Sequence, residues 1–200
     1  MASQRRGRLT RDRILQAAQE SFAQEGYDAT SVASICERAG VTKGGFYHHF
    51  PSKQALFLDL VQGWLTGLDA VLGAIRGSTT TVPEAIMQMT EMVEQVFGAA
   101  RGQLPMFLEF WNRAARDPEV WQATIDPYRH YHAYFVSMLE DGISEGSLRP
   151  VDPQLIAHLI VALAVGVVLQ GLLDPQGTDW GRVAHDSVGF LLSNMERIED

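Results

Sequence analysis

The 200-residue sequence contains one cysteine, Cys36, so an intrachain disulfide cannot form. It has no N-terminal segment with the charged start and apolar core of a secretory signal. The longest apolar run, Leu159 to Leu169, is shorter than the roughly 20 residues that a bilayer-spanning helix needs, and it predicts a buried helix instead. These absences favour a protein of the reducing cytoplasm that has no membrane partner.

The common sequence motifs of enzymes are missing as well. The chain has no GxSxG, no glycine-rich phosphate loop, no HExxH and no cysteine pair with zinc spacing. His130 and His132 are two residues apart and would point to different faces of a helix, while His48 and His49 are adjacent. Neither pair has the i, i+4 spacing of a helical metal site. We therefore expect neither catalysis nor a bound metal or cofactor.

The hydrophobic pattern predicts an all-α protein. One helix is expected from about Arg11 to Gln24, and a long one from Ser52 to about Arg76. At about 1.5 Å per residue the long helix would extend roughly 36 Å, which is enough to join two parts of the molecule. Further helices are expected to start near Pro83, Pro105 and Pro118, with Pro127 dividing the last of these. Two final helices are predicted over about 153–173 and 178–197.

The most informative stretch is TSVASICERAGVTKGGFYHHFPSK, residues 30–53. Val32, Ile35, Cys36 and Ala39 have the spacing of one helix face. Gly40 suits the left-handed end of that helix, and a second helix is predicted from a Thr42 cap to about Phe50. Helix, short glycine-containing turn and helix together predict a helix-turn-helix DNA-binding unit.

The second of these helices is predicted to have two different faces. Phe46, His49 and Phe50 share a face that can pack inward, and Tyr47 and His48 lie on the other. Two adjacent glycines, at 44 and 45, cost a short helix up to about 1 kcal/mol each. This cost is understandable where the backbone approaches another surface closely, although the glycines could also simply fray the helix start.

Over its first fifty-odd residues the chain resembles the TetR (AcrR-like) family of transcriptional regulators. The resemblance rests on FAQEGYDATSVASICERAGVTKGGFYHHFPSK followed by ALFLDLV, with the spacing of Gly26, Thr30, 39-AGV-41, Tyr47 and Lys53 kept without insertion. Beyond about Leu60 the similarity fades.

The resemblance implies a set of DNA contacts. Thr42, Lys43, Gly44 and Gly45 would enter the major groove. Tyr47 would contact the DNA backbone or a thymine methyl, and His48 a phosphate. Lys53 matches the family's phosphate-binding lysine, and Ser31 or Thr30 a hydroxyl that contacts the backbone. Because glycine offers no side chain to a base, Lys43 is the main candidate for reading guanine. The alternative for Lys53 is a solvated surface lysine.

Charge supports a division of the chain into two domains. Residues 1–53 contain 8 basic and 5 acidic residues, whereas residues 54–200 contain 8 and 19. We expect a DNA-binding domain at 1–53 and a helical effector-binding and dimerisation domain at 54–200. The basic residues include an arm ahead of the first helix, which either reaches DNA or is a solubilising tail. The arm consists of Arg5, Arg6, Arg8, Arg11 and Arg13.

The last two predicted helices each carry a seam of residues at i, i+4, i+7 and i+11. Two such seams per chain could build a four-helix interface across a two-fold axis, or could serve the core of the single chain. A two-fold dimer suits a palindromic operator. The seam residues are Ala157, Val161, Ala164 and Val168, and Ala184, Val188, Leu191 and Met195.

Aromatic residues and methionines concentrate in the middle of the chain, where an adaptable ligand pocket or a plain core would use them. Glu109 could neutralise a cationic ligand beside Phe110 or Trp111, or could pair with Arg113. The candidate ligand-binding residues are Trp64, Met92, Phe107, Glu109, Phe110, Trp111, Trp121, Tyr131 and Phe135.

The sequence thus predicts a cytoplasmic homodimeric regulator of the TetR type that binds operator DNA. Repression, as opposed to activation, follows from the resemblance alone. The expected effector is a small lipophilic or aromatic compound, which could be cationic if Glu109 lines the site. The alternative is an all-helical carrier or interaction module without sequence-specific DNA binding.

Overall fold

The computed structural model describes residues 2–92 and 116–195, and every regular element in these ranges is an α-helix. The all-α prediction is confirmed. The helices are α1 (Ala2–Glu25), α2 (Val32–Ala39), α3 (Lys43–His49), α4 (Lys53–Ser78), α5 (Val82–Thr90), α6 (Pro118–Glu145), α7 (Pro153–Leu173) and α8 (Trp180–Ser193).

Local capping explains most of the helix starts. Short polar side chains accept hydrogen bonds from the first backbone N–H groups, which have no partner inside the helix. Thr81 caps α5, Asp152 caps α7 and Asp179 caps α8. The predicted bounds of α7 are confirmed. The last helix starts two residues later than predicted, because Asp179 supplies its cap.

Two expectations about helix continuity were wrong. The first helix begins at Ala2, so Arg5, Arg6 and Arg8 belong to α1 and do not form an arm ahead of it. The cause is the composition of the first ten residues, in which Met, Ala, Gln, Arg and Leu favour a helix and outweigh Ser3, Gly7 and Thr10. Pro127 also lies inside α6 and does not divide it. Proline removes one backbone donor, and the other hydrogen bonds of this 28-residue helix keep it continuous.

The described residues form two compact units: 2–67 with 116–123, and 68–92 with 124–195. In the first unit, α1 and α2 pack together around Ile14, Phe22 and Ile35, which are almost fully buried. The rings of Phe22, Tyr27 and Phe57 contact one another, with centroids 5.2–5.9 Å apart. These units are geometric, and the functional boundary at residue 53 stays a prediction.

In the second unit, α5, α7 and α8 pack together with the second half of α6. Gly142 of α6 lies close to two neighbouring segments, because a Cβ there would be 2.7 Å from Leu148 Cδ1 and 3.0 Å from Val82 Cβ. Next to it, Glu145 accepts hydrogen bonds from Val82 N–H (2.8 Å) and the Ser147 hydroxyl (2.7 Å), and pairs with Arg76 (3.3 Å). Glu145 therefore ties three segments of this unit together.

Two of the described helices, Lys53–Ser78 and Pro153–Gly171, are long and apolar enough to cross a membrane by length and composition, a test that core helices of soluble proteins also pass. The expectation that residues 159–169 form a buried helix is only partly correct, since 33% of the apolar window of α7 is buried. Leu159 and Val165 are exposed on one face. The periodicity of an apolar run cannot show this, because every position in the run is suited to burial.

Candidate functional site

The turn between α2 and α3 is built from three local caps. Ser31 starts α2, with its hydroxyl 3.0 Å from the N–H of Ser34. Gly40 ends α2 in the left-handed region (φ 62°, ψ 42°), and two residues later the Thr42 hydroxyl accepts a hydrogen bond from Gly45 N–H at 3.1 Å. All three features follow from the residue types, and they confirm the predicted helix–turn–helix.

The two faces of α3 differ as the sequence predicts. Phe46 and Phe50 are buried, and His49 is half-buried beside them. On the opposite side Tyr47 is 53% exposed, and its ring makes a T-shaped contact with the ring of Phe46. The other predicted contact residues on the exposed face are Thr42, Lys43, Gly44 and His48, with Gly45 half-buried. These residues therefore form a hydrogen-bonding surface that extends along α3.

Neither glycine of α3 is required by the chain itself. The described glycines with positive φ are Gly26, Gly40 and Gly146, so Gly44 and Gly45 have ordinary helical backbone. A Cβ added at Gly44 would come no nearer than 3.9 Å to the Thr42 hydroxyl, and one at Gly45 no nearer than 3.4 Å. Both are ordinary contact distances. The described chain therefore leaves room for a side chain at both positions.

Thr30 and Ser31, which the resemblance implies as alternatives for one contact to the DNA backbone, have different environments. Thr30 is 1% exposed, and its hydroxyl donates to Gly26 O at 2.7 Å. Ser31 is exposed at the first turn of α2. Thr30 thus holds the loop before α2, and Ser31 is the hydroxyl that faces solvent.

Lys53 is the first residue of α4, and its ammonium group lies against the loop between α1 and α2. The Nζ atom is 2.6 Å from Tyr27 O, 2.7 Å from Thr30 O and 3.5 Å from Asp28 O. It also lies 4.2 Å from the centroid of the Tyr27 ring. Sequence spacing could not reveal these contacts, because they join residues 23 to 26 positions apart.

The five arginines near the N-terminus do not share one environment. Arg11 pairs with Asp59 of α4, and its guanidinium lies 5.4 Å from the centroid of the Phe50 ring. It therefore supports the packing of the first unit. Arg5, Arg6, Arg8 and Arg13 are exposed on α1, where their charge can act on a partner.

The candidate ligand-binding residues are only partly described. Phe107, Glu109, Phe110 and Trp111 lie outside the described residues. Trp64 is half-buried and Trp121 is 48% exposed, both in the first unit. Met92, Tyr131 and Phe135 are half-buried in the second unit, packed against its core.

The second unit also contains an acidic group that sequence analysis missed. Asp69 of α4 accepts a hydrogen bond from the Tyr131 hydroxyl and lies 3.1 Å from His130 Nε2. Burial raises the pKa of Tyr131, and the hydrogen bond and charge of Asp69 raise it further, so Tyr131 stays a neutral donor. The available signal was an aspartate between Leu68 and Val71, inside the apolar stripe of α4.

The predicted dimer seam is largely occupied by the chain's own core. Ala157, Val161, Ala184, Val188 and Met195 are buried, Val168 and Leu191 are half-buried, and Ala164 is exposed. The large exposed apolar residues on these helices are Leu155 (55%), Leu159, Val165 and Leu173 (76%) on α7 and Phe190 (77%) on α8. We call Leu155, Leu159, Val165 and Phe190 the apolar face.

The described ranges contain no group of three or more histidine, cysteine or acidic side chains placed to hold a metal ion. Cys36 is buried, which raises the pKa of its thiol against the opposing charge of Lys43. A buried neutral thiol is a packing group.

The comparisons with known proteins agree with this geometry. Residues 14–60 match the family described as bacterial regulatory proteins, tetR family, and residues 84–188 match the C-terminal domain of BetI-type transcriptional repressors. The chain is 26% identical over 182 residues to the HTH-type transcriptional regulator UidR of Escherichia coli K12, covering 90% of this chain and 89% of UidR.

Solved structures share the fold. A transcriptional regulator from Saccharomonospora viridis in complex with choline superimposes with a TM-score of 0.81 at 20% identity, over 94% of this chain and 97% of that one. The regulator FadR from Bacillus subtilis in complex with stearoyl-CoA gives a TM-score of 0.78 at 20% identity, over 90% and 97%.

Proposed function

Because the chain belongs to the TetR family of bacterial transcriptional regulators, we propose that it is a homodimeric repressor released from a palindromic operator by a small effector. Residues 1–53 bind DNA, and residues 54–200 bind the effector and form the dimer. A protein that regulates chromosomal genes acts in the cytoplasm. The observation that carries the proposal is the exposed face of α3.

Two features of that face favour DNA. The exposed side chains are hydrogen-bonding groups, and phosphate oxygens accept from Thr, Lys, Tyr and His in protein–DNA complexes. The glycine pair, which the fold does not require, allows the helix backbone to approach a groove closely. Lys43 is the reader of guanine, because it is the long cationic side chain on this face.

The apolar face supports the dimer. Leu155, Leu159 and Val165 lie on one side of α7, and Phe190 projects from α8 with three quarters of its surface exposed. Exposed apolar residues on two neighbouring helices are typical of a surface that another protein covers. A second copy related by a two-fold axis places α7 and α8 of both chains in contact, and each head then meets one operator half-site.

The effector site belongs to the second domain. Met92, Tyr131 and Phe135 supply a flexible and aromatic lining, which favours a lipophilic or aromatic compound. Asp69 adds a carboxylate beside Tyr131, so a cationic group on the effector would find a partner there as well as at Glu109. Choline and stearoyl-CoA, bound by two proteins of the same fold, represent these two kinds of ligand.

The test is a titration of the purified protein on the DNA upstream of its own gene. We expect a complex that unlabelled operator displaces and random DNA of equal length does not. Displacement by both DNAs alike would contradict the proposal, and no complex at all would favour the carrier or interaction module.

The effector is sought in the same assay. A compound that binds the second domain should quench tryptophan fluorescence and release operator DNA over the same concentration range, since coupling between the sites is reciprocal. Compounds that quench fluorescence and leave the complex intact would remove the switching part of the proposal.

A further inference from the structure

Lys53 connects the two ends of the helix-turn-helix. The carbonyl of Thr30, which it contacts, immediately precedes the Ser31 cap of α2, and Lys53 itself follows the end of α3 by only a few residues. One ammonium group therefore joins the chain just before α2 to the chain just after α3.

The loop that Lys53 contacts is shaped to receive it. Gly26 follows the end of α1 with φ 82°. The backbone N–H of Thr30 (3.3 Å) and its hydroxyl (2.7 Å) both donate to Gly26 O and close the loop. The closed loop directs the carbonyls of Tyr27 and Thr30 to one point, where Nζ lies within 2.7 Å of both. The ring of Tyr27 covers the same ammonium group.

The donors of Lys53 are thus engaged inside the protein. An ammonium group has three N–H donors. Two are taken by carbonyls at distances typical of strong charge-assisted bonds, and Asp28 O lies at 3.5 Å from the same nitrogen. A phosphate oxygen could be bound without the loss of either short bond only through the third donor, which faces Asp28 O.

On the premise that the protein binds an operator as proposed above, we propose that Lys53 is a positioning residue. It fixes α2 and α3 for DNA binding through the α1–α2 loop and makes no phosphate contact of its own. This assignment differs from the phosphate contact that the family resemblance implies, and the two make different predictions.

Two substitutions separate them. Lys53→Met keeps the apolar stem and removes the charge. Lys53→Arg keeps the charge and suits phosphate well, but its planar fork does not match a site that fits a point-like ammonium. Operator and random DNA are titrated with the parent and both variants between low and moderate salt, at a temperature where melting curves show all three to be folded.

For a positioning residue, both variants should bind operator roughly tenfold more weakly, the order of magnitude of one lost charge-assisted hydrogen bond. Their affinity for random DNA should change little. The slope of log K against log salt should stay close to that of the parent. Hydrogen exchange of residues 26–31 should be faster in both variants.

Other results would overturn the assignment. A phosphate contact would be established if the salt dependence became weaker, with a slope smaller in magnitude by about 0.9 per half-site in Lys53→Met and the parental slope in Lys53→Arg. Parental operator affinity in both folded variants would leave Lys53 with a role in stability alone. If the parent itself fails to prefer operator over random DNA, the proposed function fails, and the positioning role fails with it.

Discussion

The first compact unit has an exposed face on α3 and the second has one on α7 and α8, and the chemistry of the two faces is different. The exposed face of α3 consists of hydroxyl, ammonium, phenol and imidazole groups around two glycines. The apolar face on α7 and α8 consists of Leu155, Leu159, Val165 and Phe190. A polar face stays hydrated until a polar partner replaces water, whereas an apolar face is stabilised by leaving water altogether. The first suits DNA and the second suits another copy of the chain.

The largest expected effect is at the apolar face. Leu159→Glu should give a folded monomer, because the side chain is exposed in the single chain and would bury an unpaired carboxylate in the dimer. Operator binding should fall below detection although α3 is unchanged. Sedimentation and operator titration measure the two effects.

Val188→Glu is the matched control, because Val188 belongs to the predicted seam and is buried in the core of the chain. It should lose helical circular dichroism, and not merely the dimer. A Leu159→Glu protein that sediments as a full dimer would move the interface away from the apolar face.

The next effect is at the polar face. Lys43→Ala should relax discrimination at one base pair of each half-site, which is worth about 1–3 kcal/mol for a good base contact. Binding to operators with each base pair replaced in turn measures this change. Equal penalties for every replacement in parent and variant would show that Lys43 reads no base.

Glycine substitutions compare the two regions directly. Gly142→Ala should lower the free energy of unfolding by about 1–3 kcal/mol, because its Cβ would overlap Leu148 in a closely packed core. Gly44→Ala should raise it by up to about 1 kcal/mol, because alanine is the better helix former and the site is open.

For Gly44→Ala, operator affinity is measured along with urea unfolding. The variant should unfold at higher urea and still bind operator more weakly, because the added methyl group prevents the close approach of α3. A more stable protein with parental affinity would show that these glycines have no role in binding.

The smallest effect is a pH dependence that Glu145 gives to the second unit. Partial burial would raise the pKa of Glu145, but the hydrogen bonds from Ser147 and Val82 N–H and the charge of Arg76 outweigh it and lower the pKa. A carboxylate with a lowered pKa stabilises the fold above its unfolded pKa of about 4.5, and this contribution is lost as the pH falls through the folded value.

Glu145→Gln tests this contribution, because glutamine keeps an acceptor for Val82 N–H and does not titrate. The variant should be less stable than the parent near neutral pH, and the difference should shrink as urea unfolding is repeated at pH values approaching about 4. A constant difference across this range would remove Glu145 from the acid response.

The sequence was sufficient wherever structure depends on residues within a few positions of one another. The caps at Thr42 and Ser52, the glycine end of α2 and the two faces of α3 are such features. A cap is a hydrogen bond to a backbone group two or three residues away, so the residue type nearly determines it. The family resemblance is carried by this same local pattern, and the family profiles confirm it.

Tertiary structure decided which side of an apolar helix is covered and what a charged side chain contacts. The pattern of α7 is apolar all round, so periodicity could not show that Ala157 faces the core and Leu159 the solvent. Lys53 donates to carbonyls more than twenty residues away in the sequence. Asp69 likewise accepts a hydrogen bond from the distant side chain of Tyr131. Such contacts depend on how distant segments pack. The backbone hydrogen bonds within a helix do not determine which other segment of the chain it packs against.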